Sequence, residues 1–258
     1  VTATTFLLAV LAGYLLGSIS FARLVGRRVA PDDDLSRTTF ELRDGDILEY
    51  RGVSATSVAS RGGPGPGMLV GFLDMAKAAA AVLAFRLLAP DTAADLVAGA
   101  AAIAGHNFPV WHRFRGGRGM SPLFGALFAV DWLSVPSITV AGAAFGLVVL
   151  ADPYLAYSSA PIFLVPWMWW RFGAGPELWF ALATNAFYWL ATLPELRVWF
   201  AHRRNHPLPR RERVKDFQTG MAGMAGSGRA TWGMRGRRAA VSPEPAPAPP
   251  DPPAEPSP

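Results

Sequence analysis

Hydrophobic positions along this chain fall in long blocks rather than at a single repeating period. Seven apolar runs stand out, at about residues 3–25, 67–89, 93–109, 119–132, 134–151, 154–171 and 177–200. Runs near 20 apolar residues predict helices that cross a bilayer, whose hydrocarbon layer is about 30 Å thick. The first run, ATTFLLAVLAGYLLGSISFARLV, has no charge before Arg23 and no basic segment ahead of it. It reads as a retained helix rather than a cleaved leader. The predicted fold is all-α: a polytopic integral membrane helix bundle of about seven transmembrane helices. Five crossings keep the same parity if the two shortest runs only dip into the bilayer. Residues 1–206 form this membrane domain, and 207–258 form a basic, then proline-rich tail. Nine prolines between 239 and 258 cannot build a core, and that tail reads as disordered.

The polar connections orient the bundle. Six arginines lie in 26–66, three in 110–118 and ten basic residues between Arg203 and Arg238, whereas 90–95 and the break at Asp131 hold none. The turn at Asp152 also has none, and 171–176 has one. Cytoplasmic loops carry the excess of Lys and Arg, so the N-terminus is expected outside and the C-terminus cytoplasmic. Trp167, Trp169 and Trp170 are expected as interfacial anchors. Asn185 and Tyr188 are expected to pack helices.

Composition agrees with a membrane setting. Charged residues make up 17% of the chain, against about 25% in soluble domains. The net charge of +5 is concentrated in the tail, where a lipid-facing cytoplasmic flank accounts for it better than nucleic-acid binding does. Cysteine is absent, which excludes disulfides and thiolate metal sites, and the four histidines form no metal-binding pair.

The candidate chemistry lies between the third and fourth runs, in GHNFPVWHRFRGGRG, residues 105–119. Gly116, Gly117 and Gly119 let backbone amides approach a ligand, and the next helix turns its positive end toward them. Arg118 adds a planar cation suited to phosphate. The residues alone leave two readings open, a phosphate-binding loop or a flexible basic turn. Asp74 and Lys77, three apart within an apolar run, can pair with each other or support a site.

That string resembles the second signature, roughly GHxFPxxxxFxGGKG, of the PlsY-type acyl-phosphate:glycerol-3-phosphate acyltransferases. Arg118 stands where the family usually has lysine. GYLLGSISFARLVGR at 13–27, LDMAKA at 73–78 and HRRN at 202–205 resemble other family segments, and the resemblance covers about residues 6–206. It implies transfer of an acyl chain from acyl phosphate to the 1-hydroxyl of glycerol 3-phosphate, giving lysophosphatidic acid for phospholipid synthesis. A substrate phosphate would accept the proton, with no metal or organic cofactor. The partners would be the two substrates and membrane lipids, with no nucleic acid. The location would be the bacterial inner membrane, with the active face cytoplasmic. Gly116, Gly117, Arg118, Gly119 and Arg203 are the implied phosphate-binding residues. Thr56, Ser57, Arg61, His106 and Asn205 are the implied catalytic ones.

The family's first signature, roughly GSxNxGATNxxR, is only partly kept in YRGVSATSVASR at 50–61. Ala55 and Thr56 match, Ser54 and Ser57 replace glycine and asparagine, and Arg61 falls one position late. In the third signature Arg204 replaces a glutamate. A catalytically inactive relative that binds lipid phosphate is therefore a second expectation, and a small transporter a third.

Overall fold

A computed structural model describes residues 2–41, 47–205 and 207–213. His206 and the tail beyond Arg213, including the proline-rich stretch, lie outside the described residues. The first apolar run forms two helices, α1 (Ala3–Gly17) and α2 (Phe21–Val29). At the break the Ser18 hydroxyl donates to the Tyr14 carbonyl at 2.8 Å, and the Ile19 carbonyl accepts from Lys77 Nζ at 2.7 Å. The segment that follows is polar and charged, which predicts a loop. It instead contains an antiparallel hairpin, β1 (Arg37–Glu41) and β2 (Ile47–Arg51), with Arg37 opposite Arg51. Its β-branched and aromatic residues, Thr38, Thr39, Phe40, Ile47 and Tyr50, suit a pleated strand.

Next come α3 (Ala55–Gly62) and the 25-residue α4 (Pro64–Leu88), which opens with proline at its first position, where no backbone donor is needed. α5 (Ala94–Asn107) leads through a 3-10 turn at Val110–His112 to α6 (Met120–Val130), of eleven residues. α7 (Ser134–Ala144) runs on into a π turn at Phe145–Val149. The short α8 (Pro153–Ser158) is capped by Asp152, whose Oδ1 accepts from the Tyr154 and Leu155 amides at 3.0 and 3.1 Å. α9 (Leu164–Phe172) and the 30-residue α10 (Pro176–Asn205) complete the set.

The helices touch through small residues. A Cβ on Gly13 would strike the carbonyl of Ala98, and one on Gly17 that of Ala102. Positions four apart on α1 thus meet positions four apart on α5 in the same direction, so the two helices run parallel. Gly71 and Gly125 pair α4 with α6 in the same sense, against Ser121 and Met75. Phe180 and Phe187 of α10 meet Gly99 and Asn107 of α5, again parallel. α4 and α5 run antiparallel, with Arg86 Nη2 bonded to Asp95 at 3.0 Å near one end and Lys77 to His106 at 3.2 Å near the other.

Ala78, Ala98, Ala102, Ala126 and Ala181 lie in the interior beside Leu123, Leu127, Leu164 and Met168, while Leu7, Leu8, Met68, Phe72, Leu87 and Val148 face outward. Small residues at the closest helix contacts with large apolar side chains left outside is the arrangement of helices that associate in lipid. Trp169 and Trp170 are exposed, as interfacial anchors should be. Trp167 departs from that expectation: its indole N–H donates to Asp131 Oδ2 at 2.8 Å, beside Arg171. Tyr188 is buried and donates to the Ser158 carbonyl at 3.3 Å. The fold is all-α apart from the hairpin and belongs to a membrane. Among the described residues two helical segments, Ala3–Val29 and Pro64–Leu88, are by themselves long and apolar enough to cross one.

Candidate active site

The glycine-rich loop folds directly onto the end of α5. Pro109 starts a tight turn in which its carbonyl accepts from the amides of His112 at 3.1 Å and Phe114 at 3.0 Å. Arg113 and Phe114 take the left-handed conformation, at φ 53° and 60°. The chain then doubles back so that the Gly117 amide donates to the His106 carbonyl at 3.2 Å. A side chain at Gly116 would strike that carbonyl, one at Gly117 the His106 imidazole, and one at Gly119 the Asn107 amide. Gly119 also needs its freedom for φ +91° as it caps α6. Glycine here permits two backbone segments to lie in contact, and one loop amide is consumed in doing so. The amides of Gly116, Arg118 and Gly119 make no backbone hydrogen bond among the described residues. With the first turn of α6, whose donors lack intrahelical partners, they form the amide-rich face.

The degraded first signature lies against this face. A Cβ on Gly52 would sit 3.4 Å from the Gly116 carbonyl. One on Gly71 would sit 3.8 Å from Ser121 Oγ and 4.0 Å from the Ala55 Cβ. The N-termini of α3 and α6 therefore meet at one point on α4. Thr56 is half-buried in the first turn of α3. Ser57 is fully buried, and its hydroxyl closes a capping box: Ser54 N donates to it at 2.9 Å and it donates to the Ser54 carbonyl at 2.8 Å.

The arginines are engaged with protein partners. Arg61 leaves the far end of α3, donating to the Asp34 carbonyl at 2.8 Å with Asp33 at 3.7 Å. Arg118 Nη1 lies 3.2 Å from Glu195 Oε2 on α10, and its guanidinium stands 5.8 Å from the Tyr157 ring. Glu195 also accepts from the Tyr154 hydroxyl at 3.4 Å. Arg203 lies 3.4 Å from Asp152 Oδ2 and stacks on Trp199 at 4.5 Å. Asn205 is exposed at the last position of α10. The loop glycines, His106 and the start of α3 thus form one locality. Arg118 extends it to α8 and α10, and Arg203 and Asn205 belong to the end of α10.

Several contributors were missed in the sequence. Gly52 follows a hairpin that charge patterning concealed. Asn107 donates to the Phe187 carbonyl at 3.0 Å, tying the loop to α10. Arg23 donates to the Arg115 carbonyl at 3.0 Å, bracing the turn from α2. Glu195 did leave a signal, an acid inside an apolar run. At the turn itself, burial holds the His112 imidazole below its usual range, and repulsion from Arg23 and Arg27 lowers it further.

Small-residue packing and an apolar exterior define an all-α membrane protein, and an amide-rich loop lies beside two of its helix N-termini. A family model described as glycerol-3-phosphate acyltransferase matches residues 7–207. The chain belongs to the glycerol-3-phosphate acyltransferase family. It is 32% identical to a glycerol-3-phosphate acyltransferase of Rhodospirillum rubrum over 202 residues, covering 76% of this chain and 83% of that one. With a glycerol-3-phosphate acyltransferase of Nitrobacter winogradskyi it shares 34% identity over 200 residues, covering 77% and 89%. It also resembles the crystal structure of PlsY, an integral membrane glycerol 3-phosphate acyltransferase, in its glycerol 3-phosphate form. That likeness has a TM-score of 0.62 and 25% identity, and covers 77% of this chain and 93% of that one.

Proposed function

We propose that the protein transfers an acyl group from acyl phosphate to the 1-hydroxyl of glycerol 3-phosphate. The hydroxyl oxygen attacks the acyl carbonyl carbon, and the bond from that carbon to the phosphate oxygen breaks. Lysophosphatidic acid and inorganic phosphate leave, the phosphate carrying the hydroxyl proton. Two anionic headgroups must be held side by side, so positioning and fixed dipoles supply the rate. The observation that carries this reading is the meeting of the α3 and α6 N-termini beside the Gly116–Gly119 loop, within contact of Gly52. Two positive helix ends and a row of amides in one place suit a phosphate.

In this reading the amides of Gly116, Arg118 and Gly119 cradle a phosphate, while Gly117, its amide spent on the His106 carbonyl, lets the loop close on α5. Thr56 is the accessible first-turn group of α3 that orients glycerol 3-phosphate. Ser57 and Arg61 hold α3 in place, and Arg203 and Asn205 close the site from the end of α10. The bundle crosses the membrane seven times, with the N-terminus outside and the loop cytoplasmic. Two observations support this topology. The first four connections alternate between basic and neutral and the tail is strongly basic, while the turn at Asp152 is too short to vote and 171–176 holds a single arginine; and first with third, second with fourth and third with seventh spans run parallel, as alternating crossings require.

The test is direct. Purified protein in detergent, given palmitoyl phosphate and glycerol 3-phosphate, releases inorganic phosphate well above a boiled control. Release at the control level sinks the reading. Arg118→Ala raises KM for a phosphate-bearing substrate by about tenfold or more, since a charge-assisted hydrogen bond is lost. Unchanged kinetics in that variant remove Arg118 from the cradle.

A further inference from the structure

Behind the glycine loop lies a buried charged cluster that the reaction as written does not use. Lys77 and Asp74 are one helical turn apart on α4, with side chains only 2% and 3% exposed. The ammonium is surrounded: Asp74 Oδ1 at 2.8 Å, the Ile19 carbonyl at 2.7 Å, His106 Nδ1 at 3.2 Å, and the Phe21 ring at 5.6 Å. An ammonium has three protons and no acceptor. The Ile19 carbonyl and His106 Nδ1 lie in hydrogen-bond geometry, and the Asp74 oxygen is an ion-pair partner rather than an aligned acceptor. A charged ammonium can only donate, so in the 3.2 Å contact with His106 the ring nitrogen Nδ1 offers the lone pair.

With Nδ1 as acceptor, the hydrogen of a neutral ring falls to Nε2. Asp74 Oδ1 also lies 3.4 Å from Nδ1, but a proton there would face the ammonium head-on. A neutral ring also keeps the cluster uncharged, one ammonium against one carboxylate, as a site within apolar helices demands. The other nitrogen, Nε2, has no hydrogen-bond partner among the described residues and lies against Gly117, where any side chain would collide with it.

We infer that Lys77, aided by Asp74, is a positioning residue that holds His106 as the neutral Nε2–H tautomer, so that the imidazole presents an N–H donor to the anion held by the Gly116–Gly119 loop. The use of that donor rests on the acyltransferase reading; the tautomer does not. A lysine whose only task was to satisfy the Ile19 carbonyl at the α1–α2 break would leave the ring indifferent.

Full-length protein labelled with ¹⁵N-histidine, in lipid nanodiscs, tests this by ¹H–¹⁵N correlation, with the His106 signal assigned through His106→Gln. The expected pattern is a neutral ring protonated at Nε2. A ring protonated at Nδ1, or at both nitrogens, overturns the inference. Lys77→Met should abolish the pattern, whereas Lys77→Gln, which keeps a neutral donor, should retain it. Retention in Lys77→Met, with a melting temperature showing that the fold is intact, also overturns it. The wild-type spectrum decides the matter if neither variant folds. In the acyl-transfer assay, His106→Gln places an amide near Nε2 and His106→Asn one near Nδ1. The glutamine variant should keep about tenfold more kcat/KM for glycerol 3-phosphate. Equal losses remove the donor role while leaving the tautomer standing. Absent activity in wild type with the expected spectrum would reject the acyltransferase reading alone.

Discussion

At the scale of single residues, the loop's glycines are explained by what stands opposite them. Gly117 has the His106 ring where a methyl group would go, so Gly117→Ala must push the imidazole or the loop aside. We expect kcat/KM for glycerol 3-phosphate to fall at least roughly tenfold, because small misplacements of positioning groups are costly. Gly65→Ala is the control: that site has open space around it, and activity should stay unchanged. His112 gives a pH prediction. Its folded-state value lies below the ordinary 6.5, so below that pH the unfolded chain binds more protons than the folded one. Stability is therefore present above about pH 6.5 and declines as the pH falls toward the folded value. In melting curves taken between about pH 5.5 and 7.5, His112→Asn should show a shallower acid-side decline than wild type, by roughly a degree. An identical slope would count against the burial and repulsion assigned to that ring.

At the scale of elements, the all-α membrane character was legible because long hydrophobic runs mark helices that associate in lipid, Ala3–Val29 and Pro64–Leu88 most clearly. What lies inside each run was not. The break after Gly17 depends on Lys77 arriving from another helix to satisfy the Ile19 carbonyl, a long-range event with no local signature. The β1–β2 hairpin was hidden by its arginines and acids, which the eye reads as loop. The glycine loop stood out at once, yet its contacts with His106 and Gly52 come from the chain doubling back, which spacing does not reveal. Ser57 shows the opposite hazard: a serine in a catalytic-looking place whose hydroxyl closes a helix cap. The parallel contact of α1 with α5 makes its own prediction. Gly17→Val would drive methyl groups into the Ala102 carbonyl and should destabilise the protein by about 1–3 kcal/mol. Leu11→Val on the outward face should leave the melting temperature in detergent nearly unchanged, since Leu11 is exposed. A melting temperature in Gly17→Val equal to wild type would mean that α1 does not pack there.

At the scale of the whole molecule, the absence of cysteine makes topology easy to map, because any introduced thiol is unique. Thr2→Cys and Ala174→Cys, both at exposed positions, should react with an impermeant maleimide added outside intact cells. Trp111→Cys and Arg204→Cys should react only after the membrane is opened. The reverse pattern would place the glycine loop on the wrong side for a cytoplasmic substrate. The brevity of α6 also matters here. Its eleven residues rise about 16 Å, roughly half the thickness of a lipid hydrocarbon layer. Its polar ends, the loop at Gly119 and Asp131 with Arg171, cannot both reach the water on opposite sides of a flat bilayer. In the proposed seven-crossing topology, water or lipid headgroups would have to reach inward beside this helix at one of its ends, which would let a charged substrate and a fatty chain approach the glycine loop from different media.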